Sequence, residues 1–367
     1  SRGLGDVYKR QAEVLGYSDD SALYSAQLNR IKEAFNREFV TPGGRLSSNT
    51  QTAYALALQF DLLPEEKRAQ AADRLARDIE SFGDHLTTGF LGTPYLCHVL
   101  SRFGHLDKAY ALLNQKTYPS WLYPVTQGAT TIWERWDGLK PDGTFQDPGM
   151  NSFNHYAYGA IGEWLYRVVA GIEIDPEHPG YKHFYIQPHP GGGMTSAHAS
   201  LKSPYGRIES NWNLEGTYFS LMVRIPPNTT ATVRLPDASR ERVIERGKAL
   251  EAIEGILHID ETREAVYVKL GSGQYRFEWD APRLAETIRA GVELSTYTPL
   301  QFLMDDESAV DVLRKLLPGF LDNPSVEKAK ALSIRRIAKF APDQLTDERL
   351  DAVDEALSGL KKKRKSE

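Results

Sequence analysis

Between Tyr118 and Tyr166 the chain reads YPSWLYPVTQGATTIWERWDGLKPDGTFQDPGMNSFNHYAYGAIGEWLY. Trp121, Tyr123, Trp133, Trp136, Phe145, Phe153, Tyr156 and Tyr158 are interleaved there with Glu134, Asp137, Asp142, Asp147 and His155. Sugars present apolar C–H faces together with hydroxyls, so their sites pair aromatic platforms with carboxylates and amides. A buried structural cluster also uses aromatics, but it would not normally set them on Gly- and Pro-rich loops among acids. On chemistry alone, a carbohydrate site and a structural cluster both remain open.

The run GATTIWERWDG (Gly128 to Gly138), followed by MNSFNHYAYGAIGEWLY (Met150 to Tyr166), resembles the second half of glycoside hydrolase family 78, the bacterial α-L-rhamnosidases. HLTTGFLGTPYL (His85 to Leu96) and YPSWLYPV (Tyr118 to Val125) fit the same family, and WERWD is its most specific element. The resemblance covers about residues 12 to 282. It implies part of an (α/α)6 six-hairpin glycosidase barrel and then a β-sandwich, and hydrolysis of terminal non-reducing α-L-rhamnose with inversion.

Carried over residue by residue, the resemblance puts the general base on Glu134. An inverting glycosidase needs one ionised carboxylate to deprotonate a water on the face opposite the leaving group, with the two carboxyls on the order of 6.5–9.5 Å apart. Arg135 is a cationic neighbour that would help keep Glu134 charged. The bland alternative is a loop ion pair of Glu134 with Arg135 or Arg102. His155 falls on the family's ring-contacting histidine, where a neutral imidazole would hydrogen-bond a hydroxyl. Its alternative is a core histidine on an apolar helix face. Trp133, Trp136 and Trp121 complete the expected substrate-binding set, while Glu163 reads as structural.

One departure matters most. The family's upstream acidic element, carrying the general acid, has no counterpart in the chain. The chain therefore reads as a C-terminal fragment holding the base without the acid, inactive alone, with an open half-barrel and an exposed apolar face. Two other readings compete: another (α/α)6 glycosidase with the same base logic, or a non-enzymatic carbohydrate-binding module. Neither a metal nor another cofactor is expected, since the nine histidines show no metal-ligand spacing. His183 and His189 sit in a Pro-rich linker.

The elements that position these residues follow from hydrophobic period. Leu28, Ile31, Phe35 and Phe39 form one helical stripe and Ala71, Leu75, Ile79 and Phe82 another, the latter after a Pro64-Glu65-Glu66 start. Asn49–Phe60, Gly89–Phe103, Leu106–Gln115 and Asn151–Val169 are further helix candidates, with long loops at Lys116–Thr131 and Asp137–Met150. After Gly171 the segment IDPEHPGYKHFYIQPHPGGG cannot be a helix. Arg207–Asn213, Tyr218–Ile225, Ala231–Leu235, Val266–Leu270 and Tyr275–Trp279 then alternate with period two, which predicts an antiparallel sandwich. From Pro282, three short amphipathic helices and a basic end close the chain. The expected segments are 1–11, 12–171, 172–282 and 283–367, the first because DVYKRQ (Asp6 to Gln11) looks like a translated sequencing adaptor.

Composition bounds the remainder. Over 367 residues the chain is 41% hydrophobic and 25% charged with net charge −5, ordinary for a globular protein and unfavourable to nucleic acid or an anionic membrane as partner. The single Cys97 excludes an intrachain disulfide framework. The expected partner is a rhamnoside or rhamnose-containing oligosaccharide. Aglycone, oligomeric state and compartment (bacterial cytoplasm or secreted) stay open.

Overall fold

The computed structural model describes residues 7–290, 294–330 and 332–364. Residues 1–6 of the adaptor-like stretch and the last three of the basic end lie outside the described residues. The chain forms two compact units, up to Trp164 and from Leu165.

The first unit is helical: α1 (Tyr8–Leu15), α2 (Ser18–Phe39), α3 (Gln51–Gln59), α4 (Glu65–Ser81), α5 (Thr93–Arg102), α6 (Leu106–Asn114), α7 (Leu122–Thr126) and α8 (Ile161–Trp164). Local chemistry sets the starts. Thr50 accepts from the Ala53 amide at 3.2 Å, satisfying a first-turn donor of α3. Pro64 precedes α4, and Glu65 and Glu66 sit at its positive end. Ala71, Leu75 and Ile79 are fully buried as their spacing predicts, but Phe82 is the C-cap and is exposed. Trp164 anchors this core, lying edge-on to Tyr110 at 5.1 Å and donating from its indole to Ser101 Oγ at 2.9 Å.

The opening hairpin is different. No residue of α2 is fully buried, so its Leu28, Ile31 and Phe35 stripe is half-covered. Val14, Leu15, Tyr17 and Leu23 stand 81%, 65%, 59% and 58% exposed, and Phe39 is exposed with them.

Two expectations in this unit need correction. The 116–131 loop contains α7. The helix expected over Asn151–Val169 is broken: Asn151–Tyr156 is loop, Ala157–Ala160 a 3-10 turn, then α8, and Leu165–Val169 a π-turn. The loop residues spend their amides outside any helix. The Ser152 amide goes to a Glu134 carboxylate oxygen, that of Asn154 to Ser152 Oγ, and that of His155 to the Ile132 carbonyl.

The second unit holds β1 (Ile172–Ile174), β2 (His183–Ile186), β3 (Ser196–Ser203), β4 (Gly206–Glu215), β5 (Tyr218–Ile225), β6 (Thr230–Pro236), β7 (Ile244–Glu245), β8 (Lys248–Ala249), β9 (Ile256–Glu261), β10 (Ala265–Leu270) and β11 (Gly273–Asp280). They form a sandwich of two sheets ordered β1-β2-β6-β10-β9 and β3-β4-β5-β11-β7-β8. All pairings are antiparallel except β2 with β6, which run parallel. β2 also corrects the linker reading: His183 belongs to a strand whose Phe184 and Ile186 are fully buried. Phe184, Val233 and Val268 face the core from one sheet, and Trp212, Phe219, Phe277 and Trp279 from the other. The buried indoles are satisfied: Trp212 donates to the Val169 carbonyl at 2.8 Å and Trp279 to that of Pro236 at 2.9 Å. Gly171 (φ +83°) is required, since a Cβ there would lie 2.2 Å from the Pro188 nitrogen.

Instead of three helices, the tail has six among the described residues: α9 (Pro282–Ala290), α10 (Leu300–Met304), α11 (Glu307–Leu316), α12 (Pro324–Lys328), α13 (Ile334–Ala338) and α14 (Asp347–Arg364). The extra ones, α9, α10 and α12, run for nine, five and five residues. Side-chain caps at Asp306, Asn323 and Ser333 start α11, α12 and α13. Leu300, Leu303, Leu313, Ile334, Leu350 and Val353 belong to one core cluster.

Candidate active site

The site residues lie on loops of the first unit, held by backbone hydrogen bonds between two segments. The Glu134 amide donates to the Ser152 carbonyl at 2.9 Å, and the His155 amide to the Ile132 carbonyl at 2.8 Å. The Thr131 hydroxyl also donates to the Phe153 carbonyl. The WERWD and SFNHYAYG segments are therefore clasped side by side over residues 131–134 and 152–155. Gly138 lets them approach: a Cβ there would lie 2.8 Å from Asn151 Oδ1 and 3.3 Å from the Trp133 ring. Asn151 in turn donates to the Gly138 carbonyl at 3.0 Å.

Glu134 is part-buried, and its Oε2 accepts from the Ser152 amide at 2.8 Å. Its Oε1 accepts no hydrogen bond among the described residues, so one oxygen is fixed and the other is open to a water. Neither expected ion pair forms. Arg135 donates from Nε to Asp137 Oδ1 at 3.1 Å, and Arg102 reaches Asp61 Oδ1 at 2.7 Å. Asp137 was not singled out from sequence, yet both its oxygens are engaged, Oδ2 by the Gln146 amide at 2.6 Å.

The aromatics form a ladder rather than a ring of equal walls. His155 stacks on Phe90 with centroids 5.0 Å apart and planes 7° from parallel. Phe90 also touches Tyr158, at 5.0 Å. Tyr158 stacks on Trp136 at 3.8 Å, and Trp136 meets Trp121 edge-on at 5.6 Å. The Trp121 indole donates to the Tyr158 carbonyl at 2.9 Å. Burial and the nearby acids, Asp137 and Glu134 among them, outweigh Arg135 and hold the Tyr158 phenol above its ordinary pKa. Tyr158 thus links Phe90 and His155 to Trp136 and Trp121.

The structure brings Glu134, His155, Trp136 and Trp121 into one neighbourhood. Trp133, buried like Trp121, is set differently: it packs edge-on against Phe153 at 4.9 Å. Phe90 and Tyr158 are the functional candidates that sequence reasoning missed. Phe90 lies inside HLTTGFLGTPYL and Tyr158 three residues after His155, so both were on the motifs without a signal separating them from wall residues. Among the described residues no group of three or more His, Cys, Asp or Glu side chains could hold a metal ion, and no helix is long and apolar enough to cross a membrane.

Comparison with known proteins gives a consistent result. Residues 5–169 match the family model described as bacterial alpha-L-rhamnosidase 6 hairpin glycosidase domain, and residues 171–250 the bacterial alpha-L-rhamnosidase C-terminal domain. The chain is similar to an alpha-L-rhamnosidase of Streptomyces avermitilis, 45% identical over 74% of this chain and 25% of that protein. A Formosa agariphila alpha-L-rhamnosidase is 41% identical over 73% of this chain and 29% of its own length. The chain spans roughly a quarter of the length of these curated relatives. Among solved structures, the S. avermitilis alpha-L-rhamnosidase complexed with L-rhamnose matches with TM-score 0.69 and 43% identity, over 75% of this chain and 26% of that one. The native enzyme from Aspergillus terreus matches with TM-score 0.64 and 34% identity, over 74% and 28%.

Proposed function

Because the chain belongs to the bacterial α-L-rhamnosidase family, we propose that the whole protein hydrolyses terminal non-reducing α-L-rhamnose residues with inversion, using Glu134 as general base. The observation that carries this reading is the clasp. It sets a carboxylate with one fixed and one open oxygen beside an aromatic ladder ending in His155. An inverting reaction needs such a carboxylate to take a proton from the attacking water. A rhamnose-containing substrate is supported by the S. avermitilis relative, whose structure is a complex with L-rhamnose. In this reading Trp136 and Trp121 frame the sugar and His155 hydrogen-bonds a ring hydroxyl. Trp133 supports the wall from behind, and the general acid comes from a part of the whole protein that this chain does not supply.

The test uses the whole protein and an aryl α-L-rhamnoside. L-rhamnose should appear with inverted anomeric configuration, at a rate that a chelator leaves unchanged. Glu134→Gln keeps the side chain's shape and removes the proton acceptor, so kcat should fall about 10²–10⁴-fold while KM changes far less. A wild-type kcat from Glu134→Gln would remove the base. Turnover by the 367-residue chain alone would remove the need for an acid from elsewhere.

A further inference from the structure

One guanidinium in this site lies near two carboxylates. Arg135 is adjacent in sequence to Glu134 and two residues from Asp137, and all three charges act on the Tyr158 phenol. Asp137 and Arg135 act together on the Tyr118 phenol as well. The guanidinium is committed to Asp137, Nε to Oδ1 at 3.1 Å, with the Asp137 side chain only 16% exposed. A turn closed by the Gly138 amide on the Arg135 carbonyl brings the pair onto one side, and Gln146 locks the other Asp137 oxygen at 2.6 Å. Glu134 meanwhile is turned to the Ser152 amide.

We infer that Asp137, fixed by Gln146, is a positioning residue that holds Arg135 off Glu134. The inference takes its meaning from the reading of Glu134 as base, although its test does not depend on that reading. A carboxylate paired with a guanidinium commits its oxygens to charge-assisted N–H donors, about twice as strong as neutral ones. A water would then have to displace a cation to reach it. The Asp137–Arg135 pair removes that competitor and leaves Glu134 Oε1 open. Asp137 touches neither the reacting water nor the sugar in this account, and acts only through Arg135.

The test is Asp137→Asn, which keeps the shape and the Gln146 contact but removes the charge. Glu134, adjacent in sequence, is then expected to draw Arg135. In the 15N-labelled chain, the Arg135 Nε–H resonance should move. The Ser152 amide should exchange with solvent about 5-fold faster, as expected for losing roughly 1 kcal/mol of hydrogen bond. Arg135→Gln combined with Asp137→Asn should return the Ser152 amide to its wild-type rate, because no cation remains to draw Glu134 away. An Asp137 with a merely structural role predicts the same Ser152 disturbance in single and double variants. That result, or an unchanged Ser152 amide in Asp137→Asn, overturns the inference. In the whole enzyme the single variant should lower kcat about tenfold at constant KM, with recovery in the double variant. If Glu134→Gln proves fully active, the base reading fails while the Ser152 measurement still decides the role of Asp137.

Discussion

At the scale of single residues, the site is held by contacts that cost little individually. Phe90 is a clear case, because it supports His155 by stacking and Tyr158 by tilted contact. Aromatic pairs contribute about 0.5–1.5 kcal/mol beyond their burial. Phe90→Ala in the whole enzyme should therefore raise KM for an aryl rhamnoside roughly 2- to 10-fold with a small effect on kcat, and an unchanged KM would argue against His155 as a sugar contact. A second residue carries a pH prediction for the sandwich. Burial, then the Arg234 charge, lowers the His189 pKa to about 4. The unfolded chain protonates this histidine near pH 6.5 and the folded chain only near 4. Its contribution to stability is thus intact above 6.5 and is lost as pH falls through that window. Because the side chain is part-exposed, the loss should be on the order of 2 kcal/mol or less. Urea midpoints at pH 7 and pH 4.5 check it: the drop should be smaller in His189→Gln than in the wild type.

At the scale of elements, the sandwich depends on strands that hydrophobic period reveals unevenly. β2 is four residues long, but Phe184 and Ile186 are both fully buried. Phe184→Ala should cost about 3–5 kcal/mol in urea unfolding of the second unit, whereas a connecting segment would register almost nothing. Tyr218–Ile225 was legible to the residue, since eight alternating positions between turn signals specify a strand and its buried face. β2 was hidden because Pro and Gly at every few positions outweigh one short alternation. Asn151–Val169 misled in the opposite direction: its aromatic spacing suits a helix, but the clasp takes the amides of Ser152 and His155. Tertiary bonding overrode propensity there. Glu134 and His155 could be singled out because each sits on a specific motif. The Asp137–Arg135 pair was not, because sequence offers Arg135 to either neighbouring acid and only the turn at Gly138 chooses between them.

At the scale of the whole molecule, the two units differ in how completely their apolar surface is covered. The sandwich and the tail expose large apolar side chains singly, as at Leu257 and Phe340. The opening hairpin of the helical unit leaves Val14, Leu15, Tyr17 and Leu23 more than half exposed. That difference governs how the chain behaves in bulk solvent as temperature and salt change. Water's aversion to apolar surface strengthens on warming from the cold, and sulfate, being excluded from protein surfaces, reinforces it. The chain should therefore be most monodisperse in the cold at low ionic strength. Light scattering should rise reversibly between about 5 and 30 °C, and earlier in ammonium sulfate. Val14→Lys with Leu15→Glu should flatten that rise, whereas attraction between opposite surface charges would weaken with added salt.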